Sequence, residues 1–285
     1  MQLSRIDLAD LHTPERIAAT LHSQIGRIDG AVPVVEIARS LDIGEVRLDN
    51  FDGFEGMLLT DKVRSQGAIL ANTGRGRRRA RFTVAHELGH FLMEHHVLTS
   101  SEGFQCRASD MRETREDRQQ RRQETQANRF AIEVLAPGYK TRQFLDDDPD
   151  LKATQVMRDE LDMSLEACIR RYVATHPEPL AAVWSHNGCV RYPIRGPSFP
   201  WVKPESGSRL ATDTPAARAI ARGASGLTRM QECHPESWTD DESVAELFEQ
   251  TRVGKYGHAV TLLWATITDA EEDDGLDELD VPNFR

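Results

Sequence analysis

FTVAHELGHFLMEHH, residues 82 to 96, holds the pattern His86-Glu87-Leu88-Gly89-His90 inside a largely apolar run. No proline interrupts it and only Gly89 is a weak helix former, so the run predicts a helix. On a helix, positions i and i+4 lie about 40° apart on one face. His86 and His90 therefore present two imidazole nitrogens to one metal ion, with Glu87 beside them as a base for water. Gly89 falls near the same face, where a missing side chain lets a substrate or a neighbouring strand approach closely. The competing reading is a surface pair of histidines on a core helix.

The chain of 285 residues is long enough for a well-buried core and for two or three domains. A formal net charge of −11 and a pI near 5.4 argue against broad nonspecific binding to DNA or to an anionic membrane. Asp7, Asp10, Glu15 and Asp29 break up the first stretch, which does not read as a secretory signal. No window approaches the ~18 apolar residues of a membrane span. Cys106, Cys168, Cys189 and Cys233 stand far apart with no CxxC pair, as expected of free thiols in a reducing compartment. The expectation is a cytoplasmic protein whose metal ligands are imidazole and carboxylate, with no membrane partner.

Working outward, Thr13 and Pro14 open a capped amphipathic helix over 13–25, and 34–41 reads as a second short helix. Short strands are expected at 46–48, 56–59 and 68–72. Arg75 to Arg81 reads as a solvated basic loop leading into the His86 helix. Ser100 to Gln123 is nearly all polar and reads as an exposed, mobile insertion, partly helical through Glu-Arg pairs. Order returns at Glu124, where Ala127, Phe130, Ala131, Val134 and Leu135 form an apolar stripe at helical spacing, stopped by Pro137-Gly138. Residues 153–161 and 164–174 read as two helices in helix-turn-helix shape, with Ser164 as a cap. Past Leu180 the pattern turns to β: Asn187-Gly188 marks a hairpin, 214–222 a short helix and 259–268 a buried strand.

A catalytic zinc takes three protein ligands and keeps one position open. Candidates for the third are Glu94, His95, His96 and a carboxylate further along the chain. If the helix continues, His95 lies about 180° from His86 and faces away. Glu94 falls on the ligand side but two turns on, better placed to orient a ligand. Glu113 and Asp117 lie in the polar insertion. Glu124 is the better choice, because it opens an ordered helix whose stripe docks beside the His86 helix and completes a His₂Glu set. Asn128 is a further candidate to orient an imidazole, with a capping or solvent-facing role equally open. Tyr139 and His95 are candidate donors to a developing oxyanion.

Asn72, then RARFTVAHELGHFLMEH, then Glu124-x-x-Ala127-Asn128-x-Phe130-Ala131-x-x-x-Leu135-x-Pro137 resembles the ImmA/IrrE zinc metallo-endopeptidases. The resemblance covers residues 14 to about 175. It implies Zn2+ held by His86, His90 and Glu124, with Glu87 as general base. It also matches the family's upstream asparagine to Asn72, a candidate to support the site. The implied substrate is a partner helix-turn-helix repressor of the Xre type, whose cleavage derepresses stress-response or mobile-element genes. The long insertion departs from the family's tighter spacing. The region past Leu180 is similar, in outline, to a sensor-like (GAF-like) domain. The expected fold is thus α+β. A zincin-like metalloprotease domain with a small sheet spans 1–147 and a helix-turn-helix-like segment spans 148–178. An α/β C-terminal domain follows over 179–270, and an acidic tail over 271–285. Two rivals are an anti-repressor with a structural zinc and a DNA-binding regulator acting through 153–174. The retained Glu87 argues against the first, and the acidic Asp159 and Glu160 argue against the second.

Overall fold

The computed structural model describes residues 3–97, 103–106, 118–146 and 148–268. They form two compact units, Met1–Asp146 with Lys152–Tyr172, and Asp147–Leu151 with Val173–Arg285. The expected acidic tail, 271–285, lies outside the described residues.

In the first unit, α1 (Ile6–Ala9) leads to α2 (Pro14–Ile25). Thr13 Oγ1 accepts from the Arg16 N–H and Pro14 sits in the first turn, the cap that the sequence predicts. Ile17, Ala18 and Leu21 of α2 are buried, and α3 (Val34–Arg39) follows. The strands β1 (Ile43–Asp49), β2 (Gly56–Thr60) and β3 (Gly67–Asn72) fall where alternation placed them. Helix α4 (Arg77–Leu92) carries the two histidines, and β4 (Gly103–Cys106) completes a four-stranded sheet in the order β1-β3-β2-β4. Only β1 and β3 run parallel in it. Nearly every residue of α4 from Ala80 onward is buried, so this helix is the centre of the unit rather than a half-exposed cover.

One expectation changes here. The basic stretch is not a solvated loop: α4 begins at Arg77, and four of the arginines have carboxylate partners. Arg75 and Arg79 reach Glu55 at 2.8 and 3.1 Å, while Arg78 and Arg81 reach Asp162 at 3.1 and 2.6 Å. Arginines crowd unfavourably at a helix N-terminus, and carboxylates remote in sequence offset that cost. The polar insertion is helical at its end, as its Glu-Arg pairs suggest, for α5 (Arg118–Leu135) starts before Glu124. Gln123 is buried, accepting from the Val97 N–H at 3.0 Å and donating to the Val97 carbonyl at 3.1 Å. A side-chain amide that stands in for a backbone partner leaves no trace in a hydropathy pattern. Residues 107–117 of the insertion lie outside the described residues.

After α6 (Gly138–Thr141) come α7 (Leu151–Leu161) and α8 (Leu165–Thr175). Asp162 makes the turn between them at φ 50°, and Ser164 Oγ accepts from the Ala167 N–H at 3.2 Å. Met157, Leu161, Met163 and Cys168 enter the core of the first unit. The cations of α8 are engaged within the chain: Arg170 pairs with Glu166, and Arg171 grips both oxygens of Glu133 at 2.7 and 2.8 Å.

The second unit is built on a six-stranded antiparallel sheet. Its elements are β5 (Leu180–His186), β6 (Cys189–Arg195), α9 (Pro215–Ala221), β7 (Gly226–Leu227), β8 (Gln231–Cys233), β9 (Val244–Val253) and β10 (His258–Ile267). The order is β6-β5-β10-β9-β7, with β8 pairing β9. Asn187 and Gly188 turn the β5–β6 hairpin at φ 50° and 74°, as the Asn-Gly pair predicts. Among the described residues no helix is long and apolar enough to cross a membrane.

Strand β9 is invisible to hydropathy because it buries polar groups. Glu249, 1% exposed, accepts from the Trp238 indole N–H at 2.8 Å and from the Ala216 N–H. Burial raises its carboxyl above the ordinary range. Glu249→Leu orphans two buried donors, at about 1–3 kcal/mol each. Its urea midpoint should fall accordingly, and a midpoint equal to that of the parent protein would show that the carboxylate carries no such role.

Candidate metal centre

The site begins with the packing of α4 against α5. A Cβ on Gly89 would lie 2.8 Å from Phe130 Cδ1, so the missing side chain admits a helix, not the substrate or strand that the sequence left room for. Alanine normally gains up to about 1 kcal/mol over glycine within a helix. Here overpacking of about 1–3 kcal/mol outweighs that gain. Gly89→Ala should therefore lower the melting temperature, and an unchanged or higher value would show that the two helices part freely.

This close approach brings one carboxylate to both imidazoles. His86 Nε2 lies 3.2 Å from Glu124 Oε2, His90 Nε2 lies 3.3 Å from Glu124 Oε1, and the two Nε2 atoms are 3.1 Å apart. Both histidines are fully buried and Glu124 is 6% exposed. Among the described residues, His86, His90 and Glu124 form a group that could hold a metal ion, their ligand atoms all within 4.8 Å of one another. Asn128 Oδ1 accepts from His86 Nδ1–H at 3.0 Å, which leaves His86 Nε2 facing the cluster. Glu87 is also fully buried. A Cβ at Gly56 of β2 would stand 2.3 Å from its Oε1, so glycine there is what gives the carboxylate its space.

Electrostatics suit a cation. Burial opposes ionisation of Glu124, yet the two imidazoles beside it hold its carboxyl well below the usual carboxylate range. Burial pushes His90 down to about 4. Burial also opposes charge on His86, but the Glu124 carboxylate outweighs it and raises the imidazole. An ionised carboxylate and imidazoles converging in a buried niche are the donor chemistry of a divalent metal, with no thiolate in the set.

The remaining expected residues lie elsewhere. Helix α4 ends at Leu92, and Met93 has φ −84° and ψ 86°, so extrapolating the helix to later residues fails. Glu94 stands at the surface 3.6 Å from Arg5 rather than beneath an imidazole. His95 is exposed, with Nε2 3.2 Å from Gln126 Oε1. Tyr139 packs its ring edgewise on His22 of α2, centroids 5.7 Å apart, with its hydroxyl buried. The Asn72 amide donates to the Phe51 and Phe54 carbonyls and accepts from the Gly74 N–H, bracing the loop that leads into Gly56.

His96 is the candidate that the sequence left unplaced. It is 2% exposed, and its Nδ1 lies 2.9 Å from His90 Nδ1. Burial, then the charge of His90, pushes it down to about 3. No glycine or proline marks the end of α4, so nothing local announces the turn that swings His96 inward. Arg64 makes that turn, donating to the Met93 carbonyl at 2.6 Å and to the His96 carbonyl.

Residues 46–171 match the family model of the IrrE N-terminal-like domain, peptidase M78. No curated protein matches the sequence. Among solved structures, a Mycobacterium tuberculosis transcriptional regulator is similar with a TM-score of 0.58 at 14% identity, covering 92% of this chain and 80% of that one. That likeness is one of fold. The matched segment contains α4 and α5 with every residue of the cluster, and it supports the likeness to the ImmA/IrrE family.

Proposed function

We propose that this protein is a zinc-dependent endopeptidase that cleaves a partner helix-turn-helix repressor of the Xre type, derepressing the stress-response or mobile-element genes it controls. The observation that carries the reading is the meeting of His86 Nε2, His90 Nε2 and the Glu124 carboxylate beside the buried Glu87. His86, His90 and Glu124 would hold the zinc, matching the two imidazoles and one carboxylate of a catalytic site. When bound, zinc supplies Lewis acidity toward water and toward a scissile carbonyl. Glu87 takes the proton of the attacking water and returns it to the leaving amine. Asn128 holds His86 by its Nδ1, and the dry surroundings strengthen each of these interactions. Of the two candidate oxyanion donors, His95 contacts Gln126 and His96, whereas Tyr139 packs on His22.

The acidic chain, at −11, suits a basic DNA-binding substrate. The description of the similar solved structure as a transcriptional regulator accords with a regulatory role. A structural zinc in a non-catalytic anti-repressor is the second reading. It is disfavoured because structural sites fill four positions with protein side chains, whereas the described residues converge as three. The test incubates the zinc-loaded protein with Xre-type repressors from the same cell and maps fragments by mass spectrometry. Discrete fragments are expected with zinc and none after chelation. Tight binding without any fragment would establish the anti-repressor instead.

A further inference from the structure

His96 is outside the ligand set yet buried with it, and its two ring nitrogens have different partners. Nδ1 faces His90 Nδ1 at 2.9 Å, and Nε2 faces Gln126 Oε1 at 3.1 Å. The same Gln126 oxygen faces His95 Nε2 at 3.2 Å. A carbonyl oxygen accepts twice and never donates, so both Nε2–H groups donate to it. A neutral His96 protonated at Nε2 has a bare Nδ1, which accepts from His90 Nδ1–H. His90 then presents an Nε2 lone pair towards His86 and Glu124. The reverse orientation of the Gln126 amide inverts every link. The amide N–H would donate to His96 Nε2, His96 Nδ1–H would donate to His90, and the proton would move to His90 Nε2. There it would donate to Glu124 Oε1, 3.3 Å away, leaving no lone pair for a metal.

We propose that His96 and Gln126 are positioning residues that decide which nitrogen of His90 carries its proton, with the Gln126 carbonyl as terminal acceptor. This rests on the metal reading above. Glu124, Gln126 and Asn128 all belong to α5. One helix therefore supplies a ligand, orients His86 directly through Asn128, and orients His90 at one remove through His96. Arg64 holds the turn on which His96 arrives, so the relay does not depend on the exposed His95 for its geometry.

The test measures zinc affinity by competition with a chromophoric chelator, alongside imidazole nitrogen NMR of the zinc-loaded protein. Outer-shell losses at metal sites run to about 10–100-fold in affinity. His96→Phe should fall within that range. Gln126→Met, close in shape but without an acceptor, should weaken binding by about 10-fold. Gln126→Glu, which can only accept, should bind zinc at least as tightly as the parent protein. The NMR should show a pyridine-type Nδ1 and a pyrrole-type Nε2 at His96. Gln126 is half-buried, so its variants test the relay even where His96→Phe does not fold. Unchanged affinity in Gln126→Met, or the opposite tautomer at His96, overturns this proposal alone. Absence of zinc binding in the parent protein overturns the metal reading and the relay with it.

Discussion

On the proposed function, Glu87→Gln should retain its zinc and cleave the repressor at least about 100-fold more slowly, within the ~10²–10⁴-fold contributed by a positioned general base. The substitution changes almost nothing but proton affinity. Glutamine matches glutamate in shape, so it fits the niche that Gly56 leaves open beside α4. It is not one of the three converging residues, so metal content should stay at the parent level. An amide, however, does not take a proton from water near neutral pH. Metal analysis and single-turnover cleavage on the same preparation separate the two properties. Cleavage at the parent rate by a fully zinc-loaded Glu87→Gln protein would remove Glu87 from the chemistry.

The second large effect is the loss of metal in Glu124→Ala. Glu124 is the group that both imidazoles face, at 3.2 and 3.3 Å, and it alone brings formal negative charge to the cluster. Its removal should weaken zinc by more than about 100-fold, beyond the range typical of outer-shell residues. Cleavage should disappear in parallel, at zinc concentrations that saturate the parent protein. Glu124→Asp keeps the charge but withdraws it by one methylene, so an intermediate affinity is expected. Chelator competition across the three proteins checks the order. Equal zinc content in Glu124→Ala would mean that the cation sits elsewhere. Glu87→Gln thus loses chemistry with binding intact, whereas Glu124→Ala loses both.

Much of the site was legible in the residues, and the parts that were not share one cause. His86 and His90 face the same way because four residues of helix bring them round, a matter of local geometry. The helix carrying Glu124 was legible from its apolar stripe, and Asn128, read as an open alternative, proves to hold His86 across 42 positions of sequence. Glu94 and His95 were placed by continuing a helix that ends at Leu92, and His96 was left unplaced, because the backbone changes direction there. Asn72 was matched by resemblance, but its amide is engaged by the loop at Phe51, Phe54 and Gly74. Gly89 was correctly marked as a place of close approach, but the approaching element is Phe130 of α5.

The same division holds for the fold. Caps at Thr13 and Ser164, the Asn187-Gly188 turn and the alternating strands of the first sheet follow from interactions within a few residues. Strand β9 and the burial of Gln123 did not declare themselves, because Glu249 and Gln123 are polar residues made comfortable inside by distant partners. The sequence by itself determined most of the elements of the first unit, placed the two imidazoles on one helical face and singled out Glu124 as their partner. The tertiary structure alone decided how close that carboxylate comes, which histidine stands behind His90 and where the arginines of α4 find their charges. Those outcomes depend on the relative placement of elements far apart along the chain, and periodicity carries no information about that.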